Sequence, residues 1–327
     1  MNKIIESLLG SAGCPVMPVM THPGIELTGK RVLDAVTDGS VHSAAVMALQ
    51  RRFPYSVAST TIMDLSVEAE AFGSDIVFTQ DEVPTVTGRL LQSADDVRAL
   101  KVPTLDAARI PQYLLAGSLS AQALDHPLFG GCIGPFSLAG RLYDMTELMM
   151  AMYIEPETAV MLLEKCTEFL TEYVRAIKAS GSAGVVMAEP ASGLLSGDDC
   201  LTYSTAYVKR IVEAVQDDTF AVVLHNCGNS GQCTEAMVKS GAAALHFGNS
   251  VEMAVVLEQV PADIAVMGNI DPVGIIKMGT PEQVTAKVRE LLDMASGHGN
   301  FVLSTGCDVP PMSPIENIEA FYKAAGY

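Results

Sequence analysis

The stretch "VVLHNCGNSG", residues 222–231, runs from apolar and β-branched residues into a histidine, a cysteine and a cluster of small polar residues. A short apolar run closed by Gly, Asn and Ser reads as a buried strand followed by a turn. Side chains two apart on a strand leave the same face, so His225 and Cys227 aim at one place near the strand's carboxyl end. An imidazole and a thiol aimed together are arranged as a metal-ligand pair. The plainer reading of an isolated H-x-C is a buried histidine beside an inert thiol, and the rest of the chain has to decide.

Outward from this strand, eight apolar runs alternate with longer helical patterns. The runs are Cys14–Met20, Tyr55–Ile62, Gly130–Gly134, Ala183–Ala188, Phe220–His225, Ala242–Phe247, Ile264–Gly268 and Phe301–Thr305. Among the helical stretches, Pro156–Ser180 is amphipathic and opened by proline, and Pro281–Ser296 follows Thr280 as its N-cap. Eight strands separated by helices predict an α/β fold of the (β/α)8 TIM-barrel type. A doubly wound sheet is the alternative, but no G-x-G-x-x-G follows the first strand.

One segment, residues 75–128, breaks the alternation after the second strand. It contains "IVFTQDEVPTVTGRLLQSADDVRAL" and reads as a hairpin or lid followed by a helix. With no internal repeat and no linker rich in Gly, Ser or Pro, residues 1–327 read as a single domain carrying that insertion.

Composition narrows the function classes. At 49% hydrophobic and 18% charged residues the chain can bury a large core, and a net charge of −18 argues against nucleic acid or an anionic membrane as partner. The start, "MNKIIESLLGSAGCPVMPVM", does not fit a secretory signal, and no apolar stretch is long enough to span a bilayer. Seven scattered cysteines are an odd number and a poor disulfide framework, so a reducing cytoplasm is expected. The thiols are then free to act as core residues or ligands.

In such barrels the active site lies at the carboxyl ends of the strands. Those ends carry His22 in "MTHPG", Asp64 in "TTIMD", Glu189 in "AEPASG", His225 and Cys227 in "HNCG", His246 and Asn249 in "LHFGN", Asp271 in "GNIDP", and Cys307 with Asp308 in "STGCDVPP". The fifth and eighth strands face each other across the mouth, which brings Cys307 toward His225 and Cys227. His, Cys and Cys make three ligands of a tetrahedral zinc site with one position open. Two thiolates neutralise Zn²⁺, leaving a poor Lewis acid for water but a good holder of a third sulfur, whose proton is lost on coordination.

The remaining mouth residues each have two readings. Glu189 is a fourth ligand exchanged for the substrate thiolate, or a structural cap of the next helix. Asp64 is a catalytic or substrate-binding carboxylate, or the cap of a helix beginning at Leu65. His22, Asn249 and Asp271 are candidates to touch substrate, although His22 also reads as a solvated loop histidine and Asp271 as a helix cap. His246 reads as a satisfied core histidine, Cys233 as an inert thiol, and the methionine-rich "DMTELMMAMY", 144–153, as a packed helix face or a docking face.

These motifs also resemble a known family. H-x-C and a distant G-C-D, together with "MDLSVEAEAFG" (63–73), "GCIGPFSLAGRLYD" (131–144) and "GNIDP" (268–272), resemble the uroporphyrinogen decarboxylase superfamily over nearly the whole chain. Within it, H-x-C plus the late cysteine is similar to the zinc-dependent methylcobamide:thiol methyltransferases of the coenzyme M type. The resemblance implies a barrel, zinc on His225, Cys227 and Cys307, and a small thiol that attacks the methyl group of a methylated corrinoid (cobalamin) carried by a separate protein.

Two enzyme alternatives stay open. One is the reverse assignment, a methyl-donor:corrinoid protein methyltransferase. The other is decarboxylation, which the resemblance disfavours because "THPGI" stands where decarboxylases carry R-Q-A-G-R, with no arginine until Arg31, while Asp64 matches their aspartate. For a thiol acceptor, the sulfonate of coenzyme M would want an arginine such as Arg141, and the ammonium of homocysteine a carboxylate such as Asp64.

Overall fold

The apolar runs become strands that are buried on both faces. The computed structural model describes residues 1–11 and 13–327, and the described residues contain β1 (Ser59–Thr60), β2 (Asp75–Val77), β3 (Thr85–Thr87), β4 (Leu128–Ile133), β5 (Gly184–Ala188), β6 (Ala221–Asn226), β7 (Ala244–Phe247), β8 (Ala265–Ile270) and β9 (Phe301–Thr305). Seven of them form one parallel, curled sheet in the order β1-β4-β5-β6-β7-β8-β9, the order of the chain itself. The continuous burial along β5, β6, β7 and β9 is what a parallel sheet covered on both sides requires.

The expected first strand departs from a regular ladder. Pro15 and Pro18 have no N–H to donate, so Cys14–Met20 makes one parallel bridge, Val16 to Leu303, in place of a strand. It is nevertheless bonded on both sides. Met17 N donates to Leu303 O and Leu303 N to Pro15 O, while Val57 N donates to Val16 O, each at 2.9 Å. The expected Tyr55–Ile62 strand narrows to β1, where Ser59 and Thr60 find register with Leu128 and Phe129.

Helices cover the outer face. Pro156–Ala179 starts at its proline and turns Leu162, Leu163, Cys166, Phe169, Leu170, Tyr173, Val174 and Ile177 inward, the three-to-four spacing of an amphipathic helix. Thr280 caps Pro281–Met294 in a capping box with Gln283. Among the described residues no helix is long and apolar enough to cross a membrane.

Inside the curled sheet lies a second apolar cluster, containing Met17, Phe129, Val186, Val223, Ala244, Met267 and Val302, with Ile5 and Leu8 of the helix Lys3–Leu9 packed against it. The interior is therefore filled at the amino ends of the strands and open to chemistry only at the other end. Segment 75–128 contains the antiparallel pair β2–β3, with Asp75 opposite Thr87, then the helices Ala94–Ala99 and Ile110–Ala123. An ion pair from Arg31 to Asp81 ties the tip of the β2–β3 pair to the body.

Candidate metal centre

The period of a strand places the site. Val223 of β6 points into the interior cluster, so two and four positions further on His225 and Cys227 continue the same inward line. On the neighbouring strands the same count takes Ala244 to His246 on β7 and Val302 to Ser304 on β9. An apolar layer is thus overlaid by a polar one.

At this level the ligand atoms of His225, Cys227 and Cys307 lie within 4.8 Å of one another. Nδ1 of His225 is 2.7 Å from Nδ1 of His246, whose Nε2 is 2.9 Å from Ser304 Oγ. Nε2 of His225 is buried with no hydrogen-bond partner. Such an atom costs stability unless something binds it, and beside two thiols the donor set fits a tetrahedral, borderline-soft ion such as zinc.

Two glycines bring the distant cysteines together. A Cβ on Gly248, after β7, would lie 2.7 Å from Cys227 Cα, and a Cβ on Gly306, before Cys307, would lie 2.7 Å from Asn249 N. Neither position admits a side chain. The loops after β6, β7 and β9 therefore touch backbone to backbone, and Cys227 and Cys307 are drawn to the same spot.

The two sulfurs differ electrostatically. The hydrogen bond from the Cys307 thiol lowers the Cys227 pKa to about 7, against an opposing effect of burial. The same contact, and then burial, push Cys307 upward. Cys227 is the readier thiolate. Burial first, and then the adjacent His225, hold His246 well below the usual histidine range.

Other expected residues take different places. Glu189 lies outside the cluster, its Oε1 accepting from Phe136 N at 2.7 Å and its Oε2 from Ser137 N at 2.8 Å and Ser137 Oγ at 2.6 Å. It caps the helix Pro135–Tyr143 of the neighbouring β/α unit, so it is neither a fourth ligand in this arrangement nor the cap of its own next helix. Burial raises its pKa to about 7.

Asp64 is likewise fully engaged. Oδ1 accepts from Ser66 N at 2.9 Å and Ser66 Oγ at 2.5 Å, and Oδ2 from Arg109 Nη1 at 2.5 Å and Tyr113 OH at 2.9 Å. The helix expected from Leu65 begins at Val67. Arg109 also binds Glu70 at 2.5 Å and Ser66 Oγ at 2.8 Å, so this charge is closed off from substrate. Local sequence pattern gave no sign of Arg109 as partner, because it comes from the irregular 75–128 segment.

His22 is buried, not solvated, with neither ring nitrogen hydrogen-bonded. Burial alone would lower its pKa, but the Asp308 carboxylate, 3.3 Å from Nδ1, outweighs it and raises it. Both line a cavity of about 360 Å³ with Arg141 and residues 83–85 near the β2–β3 turn. Arg141 is partly buried and has no hydrogen bond or ion pair among the described residues; burial lowers its pKa against the pull of Glu68 and Asp64. Asn249 and Asp271 line a different groove. Asp271 Oδ1 accepts from Val273 N and Gly274 N at 2.9 Å and so caps the following helical turn. Cys233 is wholly buried, its thiol donating to Ser192 O at 3.4 Å.

Fold and site together define an α/β, TIM-barrel-like protein with a histidine–dicysteine cluster at the carboxyl ends of its strands. The chain belongs to the uroporphyrinogen decarboxylase (URO-D) family, whose pattern matches residues 13–326. It is 29% identical over 276 residues to the methylcobamide:CoM methyltransferase MtbA of Methanosarcina acetivorans, covering 80% of this chain and 77% of that one. It is also 29% identical over 282 residues to the uroporphyrinogen decarboxylase of Sodalis glossinidius, with the same coverage. A solved structure of a methyltransferase from Methanosarcina mazei shares the fold, with a TM-score of 0.89 at 23% identity over 99% of this chain and 97% of that one.

Proposed function

We propose that this protein is a zinc-dependent methyltransferase that moves a methyl group from a methylated corrinoid, carried by a separate protein, to a small thiol. The observation that carries this reading is the cluster of His225, Cys227 and Cys307 with an unpartnered Nε2 at its centre. Similarity to relatives named for methylcobamide and coenzyme M agrees with it. Percentage identity alone does not separate this activity from decarboxylation, because relatives of both names are 29% identical to the chain.

The composition of the mouth supports methyl transfer. A decarboxylase that grips several carboxylates needs several free cations, whereas the cavity at the mouth is lined by one permanent positive charge, Arg141, and Arg109 is locked to Asp64 and Glu70. When bound by His225, Cys227 and Cys307, zinc would acidify a thiol and hold it as thiolate. His225 supplies a neutral nitrogen, Cys227 the sulfur already easiest to ionise, and Cys307 the second sulfur. Arg141 orients an anionic tail such as a sulfonate, and the β2–β3 pair closes over it as a lid. The reading includes one domain over 1–327, a closed (β/α)8 barrel with Cys14–Met20 as its eighth stave, and a reducing, cytoplasmic setting in which the thiols persist.

The test is methyl transfer from methylcobalamin to mercaptoethanesulfonate and to homocysteine, followed by mass spectrometry of the thioether. About one zinc per chain and preferential methylation of the sulfonate are expected. Absence of zinc uptake on reconstitution, or undiminished transfer by Cys227→Ala, overturns the proposal.

A further inference from the structure

The cluster is backed by a one-way chain of hydrogen bonds that runs across three strands and into the segment joining the sheet edges. Ser304 Oγ is 2.7 Å from Met17 O, 2.9 Å from His246 Nε2, and its residue is wholly buried. A carbonyl only accepts, so the single hydroxyl proton of Ser304 points to Met17. Ser304 Oγ must then accept from His246 Nε2–H.

His246 is wholly buried and its ring bonds His225 and Ser304, with no carboxylate among the described residues paired to it to balance a charge, so it is held neutral, and a neutral imidazole that donates from Nε2 carries its lone pair on Nδ1. His246 Nδ1 is 2.7 Å from His225 Nδ1, so the proton between them belongs to His225. That leaves His225 Nε2, the buried atom without a partner, as the lone pair facing Cys227 and Cys307. Each assignment follows from the one before it, and the chain starts at a group whose role is fixed.

We infer that His246 is a positioning residue: through Ser304 and Met17 it locks His225 in the Nδ1–H tautomer and holds its Nε2 ready for a metal. The inference rests on the metal-centre reading above for its purpose, but not for its geometry. Neither His246 nor Ser304 touches the metal position; both act through His225. Groups that orient a ligating histidine in this way typically change metal affinity by 10- to 100-fold.

Two readouts keep this inference separable from the proposed function. Long-range ¹H–¹⁵N NMR of the metal-free protein should show His225 as a single Nδ1–H tautomer, whatever the protein does with zinc. Ser304→Ala, which frees His246 to turn, should convert it to a mixture. Zinc affinity by chelator competition should fall about 10- to 100-fold in His246→Leu. It should recover most of that loss in His246→Asn, whose Oδ1 takes the place of the accepting Nδ1.

An Nε2–H tautomer at His225 in the wild type overturns the inference, as does unchanged zinc affinity in a folded His246→Leu. Should His246→Leu fail to fold, the wild-type and Ser304→Ala spectra decide alone. If the wild type takes up no zinc while His225 is the Nδ1–H tautomer, the proposed function falls and the relay stands.

Discussion

The two sides of the mouth handle their polar groups in opposite ways. On the side of Asp64, Arg109 and Tyr113, both carboxylate oxygens are paired and the arginine reaches two acids and a serine. On the side of β6, β7 and β9, an imidazole nitrogen without a hydrogen-bond partner and two thiols converge within 4.8 Å of one another. Burial alone does not distinguish them, since Asp64 and His225 are both nearly inaccessible. What separates the Asp64–Arg109–Tyr113 group from the cluster is that the carboxylate oxygens of the first are used up within the chain, whereas Nε2 of His225 is not.

The sharpest way to break this comparison is to remove one ligand from the open side. Cys227→Ala and Cys307→Ala should each weaken zinc binding by more than about 100-fold, exceeding the loss typical of a residue behind the ligands. Far-UV circular dichroism and thermal melting of the metal-free proteins should change little, because the apolar core is large. Retained tight zinc in either variant would show that the convergence is accidental.

The paired side should answer through stability. Asp64→Asn leaves Arg109 buried with its charge less well matched, and a loss of about 3–5 kcal/mol in urea unfolding is expected, with zinc content unchanged. Loss of zinc from a still folded variant would erase the distinction.

His42 sharpens the same side by pH. Its Nε2 accepts from Ile62 N at 2.9 Å, its ring meets Tyr113 edge-on, and burial drives its pKa down to about 3. The unfolded chain takes this proton near pH 6.5, the folded one only near 3, so the stabilisation is present above pH 6.5 and is lost as pH falls through that window. The slope should be about 1.4 kcal/mol per pH unit, and a pH series of urea titrations should find it missing in His42→Gln. Equal slopes would mean that His42 titrates alike in both states.

Cys233→Ser should do least. The residue is buried but its thiol makes only weak contacts, to Ser192 O at 3.4 Å and Leu195 O at 3.8 Å, so the change should cost about 1 kcal/mol or less and leave metal content intact. Metal loss would point to the wrong cysteine.

Legibility in the sequence followed the same division. The strands from β5 to β9 lay within two residues of their sequence-based positions because continuous apolar runs left no competing structure. The first run misled only in regularity, where two prolines withheld their donors. The convergence of His225 and Cys227 was readable because their spacing matches the strand period, and that of Cys307 because a curled sheet brings the carboxyl ends of separated strands together. Glu189 and Asp64 were not, since a carboxylate awaiting substrate and one already bonded to Phe136 N or Arg109 look alike in sequence. Their partners come from other β/α units. The alternation that exposed His225 could also have marked His246 and Ser304 as one inward layer.

The contacts at Gly248 and Gly306 have a consequence for how an ion would bind. Because backbone abutments already hold the β6 and β9 loops together, the configurational entropy of uniting two cysteines from opposite ends of a long intervening segment is lost during folding. Metal entry then has to freeze little more than the torsions of two short side chains. Affinity at this centre should accordingly report donor chemistry with little contribution from chain ordering, unlike a small metal-dependent domain in which coordination and folding are one event.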